Sequence, residues 1–149
     1  MPRTAPLLWA LAALAALAAP HTRADQSVTF GEYTVHYNAL NTDALLPEIA
    51  QRYGISRSKS QVLLNIAVLK NVAGTTAQPV VARVEAHARN LNNQLSKLDM
   101  REVKDQGAIY YLGTTRANDG DTLTFTATVT PEGTAKPLQV EFSEQFFTK

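Results

Sequence analysis

The chain has 149 residues, 14 Lys and Arg against 13 Asp and Glu for a formal charge of +1, and no cysteine. The missing thiol excludes disulfides, thiolate catalysis, cysteine-ligated zinc and iron–sulfur clusters. The even charge excludes a general attraction to nucleic acid or anionic lipid.

The amino terminus reads as a secretory leader. Arg3 supplies a positive start, and Leu7 to Ala19 is an apolar run of about 13 residues, within the roughly 7–15 of a signal core. Thr22 and Ala24 are small enough to precede a cut at Asp25. An uncleaved anchor would need roughly 20 apolar residues, and Pro20, His21 and Arg23 interrupt too early. Residues 1–24 are therefore expected to be removed, and 25–149 to form a single periplasmic domain with no membrane insertion after cleavage. Taking Arg3 and Arg23 from the 14 basic residues leaves 12 against 13 acids, a formal −1. A chain of about 125 residues can bury roughly two-thirds of its unfolded surface, enough for one core held by packing alone.

Past the leader, Tyr33, Val35 and Tyr37 alternate with Thr34, His36 and Asn38, the period of a half-buried strand. Leu46–Gly54 breaks that period. Pro47 can open a helix, Glu48 sits in its first turn, Arg52 near its end and Gly54 just past it. One two-turn helix is expected, with Ile49 and Tyr53 on its buried face. Gln61–Lys70 is nearly apolar on both faces, with Val62, Leu64, Ile66 and Val68 against Leu63, Asn65, Ala67 and Leu69, which suggests a central strand.

Val80–Arg89 places Ala82, Val84, Ala86 and Ala88 inward and Arg83, Glu85, His87 and Arg89 outward. Leu95–Val103 is a weaker strand with Leu98 and Met100 inward, and Ile109–Arg116 follows. Asn118-Asp119-Gly120-Asp121 reads as a hairpin turn, with Gly120 taking positive φ. Thr122–Thr130 turns Leu123, Phe125, Ala127 and Val129 inward beneath a row of outward threonines. Pro131-Glu132-Gly133 turns, and Leu138–Phe147 closes the chain. The expectation is an all-β, antiparallel, two-sheet immunoglobulin- or fibronectin-like sandwich of about seven strands, with one short helix after the first strand.

Gly31–Leu40, Leu46–Lys59, Ala108–Gly113 and the tail from Val129 through Gly133 to Phe147 together resemble an uncharacterised family of exported proteins from Gram-negative bacteria, domain of unknown function 4426. The resemblance spans the mature chain. It implies a periplasmic setting and a sandwich fold. It carries no activity and no catalytic residues.

No serine lies in a Gly-x-Ser-x-Gly elbow and no glycine-rich phosphate loop occurs, so no catalytic residue is nominated. Glu32, Glu48, Asp99, Glu102, Glu141 and Glu144 are scattered acids of the solvating kind. His36, His87 and Met100 fall on different strands without ligand spacing, so no metal or cofactor is expected. Binding is the stronger class. Arg52, Tyr53, Arg57 and Lys59 gather at the end of the helix and in the loop beyond, where a guanidinium fork could meet a carboxylate or phosphate. Tyr110 and Tyr111 must point to opposite faces, so one tyrosine, taken as Tyr110, is expected to leave the core and suit recognition. The sequence thus predicts a periplasmic binding or accessory module for an envelope protein or acidic ligand. The alternatives are an envelope-acting enzyme with a noncanonical acidic site and a weak metal-handling protein.

Overall fold

The computed structural model describes residues 26–149; the leader and its expected cut lie outside the described residues. Among the described residues no helix is long and apolar enough to cross a membrane. Strands dominate, as the period-two patterning requires. They are β1 (Gln26–Phe30), β2 (Tyr33–Asn41), β3 (Gln61–Lys70), β4 (Gln78–Pro79) and β5 (Ala82–Arg89). Then come β6 (Leu95–Leu98), β7 (Arg101–Asp105), β8 (Ala108–Arg116), β9 (Thr122–Pro131) and β10 (Leu138–Gln145). A 3-10 turn, Thr42–Ala44, and one helix, α1 (Pro47–Arg52), separate β2 from β3. The strands are all antiparallel and form two sheets, one of six in the order β1-β2-β3-β8-β7 with β4 beside β3, the other of four in the order β10-β9-β5-β6.

Among the described residues ten strands stand where about seven are expected. The extra ones are those with little buried surface to announce them: β1 is exposed over most of its length, and β4 is two residues long. The expected strand Leu95–Val103 is two strands in different sheets. β6 pairs with β5 in the second sheet, the chain crosses at Asp99 and Met100, and β7 pairs with β8 in the first. The Asn118–Asp121 turn is also not a hairpin. Gly120 does take φ +81° and the Asp121 amide donates to the Asn118 carbonyl at 3.1 Å. But β8 and β9 belong to different sheets, so this turn carries the chain between layers.

The core lies between the layers. Val35, Val62, Leu64, Ile66 and Val68 meet Ala86, Leu98, Phe125, Ala127 and Val129, all at most 4% exposed. Aromatic rings join the sheets: Tyr37 of β2 lies 4.6 Å from Phe142 of β10, and Phe125 lies 5.2 Å from Phe142 and 6.2 Å from Phe146. The outward threonines are only half covered, and Thr126 is buried, with its hydroxyl donating to Glu141 Oε2 at 3.4 Å.

A second bridge is polar. The Ala82 amide of β5 donates to the Tyr111 hydroxyl of β8 at 2.7 Å, and that hydroxyl donates to Glu102 Oε2 at 3.5 Å. Burial holds the Tyr111 phenol above the ordinary 10.0, only partly offset by the Ala82 bond. Tyr111→Phe should cost about 1–3 kcal/mol by stranding the Ala82 amide away from water. The pH dependence has a definite sign. The folded state keeps the phenolic proton that the unfolded chain gives up near pH 10, so this contribution is complete below pH 10 and lost as the pH climbs through the raised value. Urea melts across the alkaline range should show stability falling above pH 10, with a shallower fall in Tyr111→Phe. Equal slopes would mean the phenol is not coupled to folding.

Candidate functional site

The outer face of the six-stranded sheet carries the residues of interest, and α1 divides it into a covered half and an open half. The helix starts at Pro47, carries Glu48 in its first turn and Arg52 in its last, and stops at Gly54, whose φ of +66° favours glycine. Its buried residue is Ala50, while Ile49 and Tyr53 are half-buried. Ala50 and Ile55 pack on Leu63 of β3 and Leu112 of β8, with Leu45, Tyr53, Val103 and Tyr110 around them. This explains half of the two-faced apolarity of β3: Val62 and Leu64 are covered or core-facing within the body of the protein, and Leu63 is capped from outside by the helix.

Polar bonds lock the cap. The Tyr53 hydroxyl donates to Asp105 Oδ2 at 2.7 Å, and Arg52 pairs with the same oxygen at 3.4 Å. The bond to Asp105, then burial, raise the Tyr53 phenol above its ordinary value. Arg101 of β7 donates to the Tyr53 carbonyl. The loop after the helix is equally tied. The Thr42 hydroxyl, fully buried, bonds the Ser56 and Ser58 carbonyls at 2.9 and 3.1 Å and accepts from the Ser58 amide at 2.8 Å. Arg57 donates to the Asp43 carbonyl at 2.8 Å, and the Lys59 carbonyl accepts from Asn41 Nδ2 at 2.7 Å.

The five sequence candidates therefore separate. Tyr53 and Tyr110 come together, their rings 6.4 Å apart and tilted. Arg52 faces Asp105, whereas Arg57 reaches back to Asp43. Tyr110 does leave the main core, as its neighbour Tyr111 enters it, but it is not an exposed edge residue: the helix side chains half cover it. Both faces of β8 are covered there, which is the condition under which two adjacent tyrosines can both be sheltered.

The open half holds a cleft of about 410 Å³. It forms where the sheet splits. β3 pairs with β8 only from Gln61 to Ile66; beyond that, Leu69 and Lys70 pair with β4 instead. Ala67 and Leu69 of β3, Pro79 of β4 and Ala108 of β8 supply apolar lining. Polar groups come from Gln26, His36, Tyr37, Asn38, Asn65 and Tyr110. Asn38 and Asn65 are directly opposed across β2 and β3. Asn65 Oδ1 is buried and has no hydrogen-bond partner among the described residues. A buried, unpaired amide oxygen carries a desolvation cost and calls for an explanation. Sequence reasoning passed over this group. Its signal was Asn65 itself, one amide in the middle of an apolar strand.

A second cavity, of about 500 Å³, opens at the end of the two sheets between the β1–β2 turn and the β9–β10 loop. Phe30, Tyr33, Pro137 and Leu138 make it largely apolar. His36 and His87 lie in different sheets, on the faces away from the shared core. Among the described residues no three His, Cys, Asp or Glu side chains group as metal ligands would.

Residues 27–149 match the domain of unknown function DUF4426. The chain belongs to that family. A crystal structure of a DUF4426 family protein from Pseudomonas aeruginosa PAO1 is similar to this DUF4426 chain at 31% identity and TM-score 0.73, covering 87% of this chain and 99% of that one. More distant is FetP from uropathogenic Escherichia coli strain F11, recombinantly expressed in the periplasm, at 12% identity and TM-score 0.59 over 83% of this chain and 93% of that one. A copper-bound single-substitution variant of FetP gives 13% and 0.57 over 83% and 95%. At those identities the likeness to FetP is one of fold. No curated protein matches the DUF4426 chain.

Proposed function

We propose that this DUF4426 domain is an exported binding module that acts by holding a ligand in the split-sheet cleft rather than by catalysis. The observation that carries this reading is a cleft open to solvent-borne molecules whose lining includes Asn65, an amide in an otherwise apolar strand with its Oδ1 sealed and unpartnered. The cleft volume falls within the roughly 300–1,000 Å³ of small-molecule sites, and its mixture of apolar walls and a few polar groups is the usual make-up of one. Among the described residues its lining carries three amides, one imidazole and two phenols and no carboxylate, so it offers affinity and orientation rather than an acid–base pair. The leader-like amino terminus supports export. The ligand sits at the cleft and not at the cationic loop, because Arg52 is already paired with Asp105 and Arg57 with a carbonyl.

The test separates a binding role from a structural one. If Asn65 serves the fold, its removal destabilises. If it waits for a ligand, Asn65→Leu removes an unpaired polar atom and fills the same space with carbon, and the melting temperature of the ligand-free protein stays level or rises. A drop in stability on the scale of a lost core hydrogen bond would overturn the reading.

Metal handling is the second reading. The copper-bound state of a FetP variant favours it, as does the presence of His36 in the same cleft. Copper(II) broadening of the amide signals of Tyr37, Asn38 and Asn65, abolished by His36→Ala, would select it.

A further inference from the structure

We infer that the cleft takes a neutral saccharide; this deepens the binding reading above and depends on it. The inference starts from what the lining lacks and what it offers. Among the described residues, none of those lining the cleft is Asp, Glu, Lys or Arg. A ligand carrying a carboxylate or ammonium would leave water without a countercharge to receive it, which is costly. A wholly apolar ligand fails for the opposite reason. It would strip water from Asn38, Gln26, His36 and Tyr110 and return no hydrogen bond to any of them.

The lining therefore asks for a molecule with an apolar face and a neutral polar rim. Ala67, Leu69, Pro79 and Ala108 offer carbon surface to such a face. Asn65 lines the cleft while its Oδ1 is sealed, so its Nδ2 amide is the group left to donate to a ligand oxygen. Opposed Asn38 can both donate and accept, and His36 adds a nitrogen on the same strand, two residues away. A pyranose ring meets all of these requirements, because its axial C–H bonds make one face apolar while its hydroxyls donate and accept around the edge. The half-exposed Tyr110, braced by Tyr53 at 6.4 Å, closes the cleft toward the helix and holds its shape without a ligand. A preformed wall lowers the ordering cost of binding. The cationic helix end is excluded from the site by the Tyr53–Asp105–Arg52 cluster, which uses its charges internally.

Nitrogen–proton correlation spectra of the mature chain test this with three neutral disaccharides, diacetylchitobiose, cellobiose and maltose, against glucuronate and protonated glucosamine. At least one neutral sugar should shift the resonances of Asn38, Asn65, Ala67 and Tyr110. Asn65→Leu should weaken that binding by about tenfold, the scale of one neutral hydrogen bond and its desolvation. Asn38→Ala, an exposed position, should weaken it as well and covers the case in which the Asn65 variant misfolds. Thr126→Ala, on the other sheet, should change nothing. The inference is overturned if none of the three sugars shifts the cleft resonances, if the charged sugars bind more tightly than the neutral ones, or if Asn65→Leu and Asn38→Ala bind like the wild type. Failure here with Asn65→Leu still as stable as the wild type would discard the saccharide and keep the binding site; a destabilised Asn65→Leu would remove both.

Discussion

Phe125→Ala should lower the unfolding free energy by about 3–5 kcal/mol, the range for deleting a buried aromatic ring. Phe125 has no exposed surface and sits on β9, a central strand of its sheet between β10 and β5. Its ring stacks against Phe142 at 5.2 Å and meets Phe146 edge-on at 6.2 Å. Phe142 in turn contacts Tyr37 from the opposite sheet at 4.6 Å. Removing Phe125 therefore opens a cavity and also takes the support from the ring that joins the layers. Backbone collapse cannot refill the space cheaply, because β9 is held on both sides by strand pairing. Thr126→Ala, one residue along, exchanges a buried methyl-bearing hydroxyl bonded to Glu141 and should cost only about 1 kcal/mol. Urea denaturation of the two variants measures the contrast. Losses of equal size would place the wrong face of β9 in the core.

The same strand shows what the sequence makes legible. Leu123, Phe125, Ala127 and Val129 alternate with threonines, and every one of the four is buried. The helix was legible too, because Pro47, Glu48, Arg52 and Gly54 are local instructions at fixed offsets. What local signals do not specify is which sheet receives the next strand. Asp119-Gly120 fixes a turn and a positive φ, yet the chain leaves that turn into the other layer, because the long-range pairing of β9 with β5 and β10 decides the destination. Leu95–Val103 reads as one strand for the same reason: its inward residues continue in phase while the chain changes sheets.

The site was legible only in fragments. The candidates Tyr53 and Tyr110 come together in the fold, with Tyr110 on the cleft wall and Tyr53 behind it. Arg52, Arg57 and Lys59 read as one cationic group because they are close in sequence, but the two arginines turn to different elements, Arg52 to Asp105 on β7 and Arg57 to the Asp43 carbonyl in the 3-10 turn. The cleft itself depends on β8 parting from β3 after Ile66, a contact between residues far apart in the chain. The alternation pattern of β3 continues unbroken through Leu69 and carries no trace of that event.

Gly113→Val should destabilise by about 1–3 kcal/mol or somewhat more, through overpacking rather than through loss of a contact. Gly113 lies on β8, opposite Leu64 of β3, at a point where β8 passes under the crossover from β6 to β7. A Cβ placed there would stand 2.4 Å from Met100 Sδ, 3.2 Å from Leu98 Cβ and 3.4 Å from the Asp99 carbonyl oxygen. No unusual φ demands a glycine at this position; the demand is for space. The Met100 thioether can yield, because three rotatable bonds let it move, but Leu98 is 2% exposed and the Asp99 carbonyl is backbone, so neither can. The conflict therefore has one removable member, and a double variant exposes it. Met100→Ala alone should cost stability by thinning the core edge, while Gly113→Val/Met100→Ala should lose less than the two single losses combined. A favourable coupling of about 0.5–3 kcal/mol is expected for residues in such contact. Additive losses would mean that Leu98 and the Asp99 carbonyl, and not Met100, set the limit, and that the crossover is fixed by its backbone.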